Sequence, residues 1–169
     1  LTKDYLLDVY QVTASRERQL DWAMHGTADL QFTMPTPGAP LALGQRRGYQ
    51  HLERATRHET DAAWAILPYT SGDGGGQLSL WLAGAPGMSL VLATDPVPIG
   101  QALPPHSSTL ILRTRAATAT FIAIWSFDPQ HAITAAVQQP TPEALRIDLT
   151  TRSGQHAWRL PPQGEIQAL

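Results

Sequence analysis

The stretch "DWAMHG", residues 21–26, sets a carboxylate, an indole, a thioether and an imidazole in a row and ends on glycine. Asp21 and His25 are the types that make an acid–base pair, the carboxylate orienting the imidazole for proton transfer. Their spacing works against this. Four residues along a strand put them on one face but about 13 Å apart, out of hydrogen-bond reach unless the chain turns at Met24. The other reading is a strand with Trp22 in the core and His25 at its end, ahead of a turn at Gly26.

Arg46, Arg47, His51, Arg54, Arg57 and His58 make the densest basic run of the chain. Guanidinium forks hold carboxylate or sulfate through paired hydrogen bonds. Arg46, Arg47 and His51 are therefore candidate contacts for an anionic ligand. Glu53, Glu59 and Asp61 lie within the same stretch, and with them the run also reads as a solvated face in charge balance. Trp22, Trp64, Trp81, Trp125 and Trp158 are of the type that stacks on sugar rings, yet all sit in alternating segments, where core packing is the commoner fate. Trp81 is distinctive. It shares a face with Ser79 and Ala83, opposite the stripe of Leu78, Leu80 and Leu82. Either both faces of that hairpin are buried, or Trp81 is exposed to a ligand or a neighbouring domain.

Other chemistries find no pattern. "GDGGG" lacks the lysine and helix that follow a phosphate loop, and neither a GxSxG elbow nor an HExxH motif occurs. No two of the six histidines are spaced three or four apart on a helical segment, and cysteine is absent. No metal ligand, disulfide framework or cofactor is assigned. A net charge of −2, from 12 basic and 14 acidic residues, gives no global field for nucleic acid. No apolar run approaches the ~18 residues of a membrane span.

The elements that must position these side chains have a period of two. "YLLDVYQV" (5–12), "QLDWAM" (19–24) and "ADLQFT" (28–33) alternate as strands with one buried face. "PTPGAPLALG" (35–44) is a proline-rich loop, 49–60 a strand pair exposed on one face, "AAWAILPY" (62–69) a strand, and "SGDGGG" (71–76) a flexible turn. "QLSLWLA" and "MSLVLAT" form a hairpin around "GAPG". A proline-rich crossover (95–105) leads to a second expected hairpin, "TLILRTRA" (109–116) with "TATFIAIWSF" (118–127). "AITAAVQ", "ALRIDLTT" and "QHAWRL" complete roughly eleven strands. This predicts one all-β domain over 1–169, an antiparallel β-sandwich or stacked-sheet module.

Several of these segments, in this order, resemble the C-terminal β-domain of heparinase II/III-like polysaccharide lyases, the group that includes oligoalginate lyases. "YLLDVYQV" followed by "LDWAMHG" is similar to their opening pair of strands. "LWLAGAPGMSLVLATDPVP" is similar to their central hairpin, and "LILRTRAATATFIAIWSFDP" to an Arg-containing strand leading into an "A-x-F" strand. The resemblance covers most of residues 4–138. It implies cleavage beside uronic acids by β-elimination, with a Tyr or His removing the acidic C5 proton and cations neutralising the carboxylate. It also implies an N-terminal α/α-toroid as partner, an acidic polysaccharide as substrate of the parent enzyme, and a periplasmic or secreted setting. The family's catalytic Tyr and His, and its zinc ligands where present, would precede Leu1. No catalytic or metal residue is therefore carried over, and His25, which matches a family His by motif, is kept as a substrate-binding candidate beside Arg46, Arg47, His51 and Trp81. The abrupt start "LTKDYLLDVY", without a Met or a signal-like segment, fits a fragment. The expectation is a cleft-supporting part that is inactive alone. The alternatives are a stand-alone carbohydrate-binding or adhesion module, and a small enzyme with an unfamiliar site.

Overall fold

The computed structural model describes residues 4–25, 37–45, 47–59, 64–70, 77–83, 87–96, 106–126, 134–141, 144–161 and 167–168. Arg46, the expected strand 28–33 and the glycine run 71–76 lie outside the described residues. Among those described the chain is all-β, with no helix. The strands are β1 (Tyr5–His25), β2 (Ala39–Pro40), β3 (Glu53–Glu59), β4 (Trp64–Thr70), β5 (Gln77–Ala83) and β6 (Ser89–Pro96). They continue with β7 (His106–Ser126), β8 (Thr134–Thr141), β9 (Ala144–Thr151), β10 (Gly154–Leu160) and β11 (Gln167–Ala168).

All pairings are antiparallel. The spine of the larger sheet is β7. One of its edges pairs with β1 from Tyr5–Ser126 to His25–Thr109. Its other edge is shared, with β6 along 106–113 and β5 along 123–126. From β6 the sheet continues to β3 and β2, and from β5 to β4. The smaller sheet runs β11–β10–β9–β8.

Neither expected hairpin is formed: among the described residues β5 and β6 pair with β7 and not with each other, and 109–126 does not fold back on itself. Residues 106–126 are one strand, and 5–12 and 19–24 likewise fuse into β1. The physical reason lies in "AAT" (116–118), which has no Gly, Asn, Asp or Pro to turn a hairpin. The break in alternation there is a bulge. Thr13 pairs with Thr118 and pairing resumes at Arg18 with Ala116, so residues 14–17 of β1 stand against Ala117 alone. Such an insertion bends the strand pair, and across it the inward parity changes on β7 while β1 keeps even positions inward, Val12 before it and Leu20 after it. Accordingly Leu110 and Leu112 before it, and Ala119, Phe121 and Ala123 after it, are buried in one cluster.

That cluster joins Leu80 and Leu82 of β5, Leu90 of β6 and Leu20 of β1, with Val12, Trp22 and Met24 packed against it. It therefore unites the two halves of the bent sheet. The opposite face of one half carries Tyr5, Trp81, Ile122 and Ile124, which pack with Ile147, Leu149 and Leu160 of the smaller sheet. The indole N–H of Trp158 donates to the Tyr5 hydroxyl across that junction, at 2.9 Å. The opposite face of the other half buries Ala55, Val91, Ala93 and Ile111 beneath Leu41, Leu43, Tyr49 and Leu52. Burial of each large aliphatic side chain contributes roughly 2 kcal/mol. Residues 41–45 and 47–52, short of regular structure, are thus fixed to the sheet by their apolar side chains, and this places Tyr49.

Candidate functional site

Asp21 is paired, but not with His25. The register of β1 and β7 sets Asp21 opposite Arg113. Arg113 Nε donates to Asp21 Oδ1 at 2.9 Å and Nη2 to Oδ2 at 2.8 Å. The Tyr49 hydroxyl donates to the same carboxylate, as does Gln19 Nε2 at 3.0 Å. The Arg113 guanidinium lies 5.5 Å from the centre of the Tyr49 ring, in cation–π contact. The side chains of Arg113 and Asp21 are only 15% and 9% exposed. Burial, then the bond to Asp21, pushes the Tyr49 hydroxyl above its usual range. The bond to Asp21 likewise holds the Arg113 guanidinium up. Four donors saturate this carboxylate. It is a clasp between the sheet and segment 41–52, with no base to offer a substrate.

His25 sits at the end of β1 with its side chain 61% exposed. Its Nδ1 is 2.9 Å from Thr109 Oγ1 and 3.8 Å from Asp95 Oδ2. A nucleophile relay needs the acid on one ring nitrogen and the hydroxyl on the other. Here both approach Nδ1, so this trio is not a relay. Asp4, Ser153 and His156 are a second such grouping. Ser153 donates to the Asp4 carboxylate, and its Oγ is 3.4 Å from His156 Nε2. The acid orients the hydroxyl rather than the imidazole, which makes this a tie between the start of β1 and the β9–β10 turn. The bond from Ser153 holds the Asp4 carboxyl below its usual range.

Of the basic run, the described Arg47, His51, Arg57 and His58 are not gathered into a site. Arg47 and His51 are exposed turn residues. The His51 Nε2 is 3.1 Å from Gln50 Nε2. Arg57 pairs with Glu59 at 2.8 Å on the surface, and His58 is buried beside Thr56. Trp81 is corrected as well. It is 7% exposed, packed between the sheets, so both faces of β5 are buried and the indole is no platform for a sugar.

The bulge creates a basic group that chain order conceals. An open groove of about 840 Å³ runs over it. Arg16, Arg18 and Arg115 give it three guanidinium groups, Glu17 one carboxylate, and Leu43 and Tyr49 a wall. Arg115 Nε donates to Glu17 Oε1 at 2.7 Å. Among the described residues Arg16 and Arg18 make no ion pair. The signal in the sequence is a repeated Arg-x-Arg, at 16–18 and at 113–115. Neither alone is dense, and they lie far apart in the chain. Among the described residues no three His, Asp or Glu side chains are grouped to hold a metal ion.

No family model matches this chain, and no curated protein matches it.

Proposed function

We propose that this chain is the sheet portion of a heparinase II/III-like polysaccharide lyase, a stacked-sheet module that walls one side of a cleft for uronic-acid-containing polysaccharide. The observation that carries this reading is the arginine-rich groove over the β1–β7 bulge. In β-elimination the uronate carboxylate must be neutralised before the C5 proton becomes acidic, and fixed guanidinium groups supply that charge. The proton-abstracting residues come, in this reading, from an α/α-toroid partner, and the whole acts in the periplasm or outside the cell. The all-β, antiparallel architecture and the order of the quoted segments are compatible with it.

The test is release of unsaturated uronate, followed by its ultraviolet absorbance, from alginate and from heparin. The expected result is no product from residues 1–169 and product once a helical partner region is supplied. Turnover by this chain alone would sink the reading. The same groove also favours a stand-alone carbohydrate-binding module. Binding of the polymer with no cleavage in any longer form of the protein would select that alternative.

A further inference from the structure

We infer that the groove over the bulge is a binding site for an anionic saccharide chain, and that Glu17 occupies the position of the ligand's anion until the ligand displaces it. The inference rests on the acidic-saccharide part of the function proposed above. Three arginines and one carboxylate line the groove, and of the three only Arg115 is paired with Glu17. The Arg115–Glu17 pair is bonded at 2.7 Å, yet its side chains are 76% and 61% exposed. Exposed ion pairs are weak, because water and salt screen them and two flexible side chains must be held still. A ligand carboxylate or sulfate that reaches Arg115 together with Arg16 and Arg18 gains more contacts than Glu17 makes. Glu17 thereby acts as an internal competitor.

The size and lining favour a saccharide. A volume of about 840 Å³ is within the range of pockets for extended small ligands and far exceeds a lone ion. Single-stranded nucleic acid needs free aromatic faces on which bases stack. The Tyr49 ring, the aromatic of the groove, already stacks with Arg113. The bulge itself supplies the geometry, since insertions of this kind re-aim side chains out of the ladder.

Titration calorimetry with an oligomannuronate, a heparin oligosaccharide, a neutral malto-oligosaccharide and a single-stranded oligonucleotide tests this. Arg16→Ala with Arg18→Ala, and separately Arg115→Ala, should weaken the acidic sugars about tenfold each. Glu17→Gln should tighten them several-fold. The neutral sugar should not bind. All four positions are exposed, and circular dichroism checks that the variants keep the fold. Unchanged affinity in the arginine variants, equal binding of the neutral sugar, weaker binding after Glu17→Gln, or preference for the oligonucleotide would each overturn the site. Arginine-dependent binding without cleavage by any longer form leaves the groove standing and removes the lyase. Cleavage by a longer form, with the variants unaltered in affinity, does the reverse.

Discussion

Asp21 and Arg113 stand directly opposite one another on β1 and β7 and are joined by two parallel hydrogen bonds, with Tyr49 closing the group from segment 41–52. Both charges are largely out of water, so each depends on the other. Removing one partner of a buried, hydrogen-bonded pair leaves an uncompensated charge. Asp21→Ala should destabilise the protein by about 3 kcal/mol, read as a lower urea midpoint with an unchanged slope. Replacing both residues with leucine should recover most of that loss. A single variant as stable as the parent would show that the pair is not a clasp.

The same group predicts behaviour in alkali. The Tyr49 hydroxyl titrates above its ordinary value of 10.0, chiefly because it is buried and then because it donates to Asp21. Tyr5 is raised too, by burial first. A raised value in the folded state means that stability is fully present below the ordinary value. It is lost as pH rises from there through the folded value. Thermal midpoints should therefore fall above about pH 10. Tyr49→Phe should start lower but lose less over that interval. An equal alkaline loss in parent and variant would count against the Tyr49–Asp21 bond as its source.

The period-two alternation was enough to read an all-β, antiparallel chain and the faces of β1, where Tyr5 is buried and Leu7 and Val9 are half-buried against the smaller sheet. It was not enough at "AAT", because a bulge and a turn both interrupt alternation. Only the absence of turn-forming residues at 116–118 separates them. The site was less legible for a related reason. Local density picked out segment 46–58, in which Arg47 and His51 are exposed turn residues and Arg57 pairs with Glu59 on the surface. The groove's arginines come together through register, by way of Gln19 opposite Arg115 and Arg18 opposite Ala116. Register is a long-range property, fixed by which faces are buried along the whole strand pair.

Gly38 precedes β2 at a place where the sequence shows only a proline-rich loop. A Cβ there would run into the His58 imidazole and come within 2.8 Å of Thr56 Cβ. His58 is 6% exposed and has little room to retreat. Gly38→Ala should cost about 1–3 kcal/mol through overpacking. Gly38→Ala combined with His58→Ala should recover part of this, which a loss of backbone freedom alone would not allow. Chemical denaturation of the two variants decides between these causes.

Trp81 offers the sharpest separation of core from site. Its ring lies between the sheets with Ile122, Ile124, Ile147 and Leu149, while the groove is lined by other residues. Its Nε1 has no hydrogen-bond partner among the described residues, so Trp81→Phe removes no bond identified there and leaves a small void. Trp81→Ala opens a large one and should cost about 3–5 kcal/mol. Trp81→Phe should lose far less. Under conditions where both variants stay folded, affinity for acidic oligosaccharides should match the parent. A tenfold loss of affinity in Trp81→Phe, with stability intact, would return this indole to the binding surface.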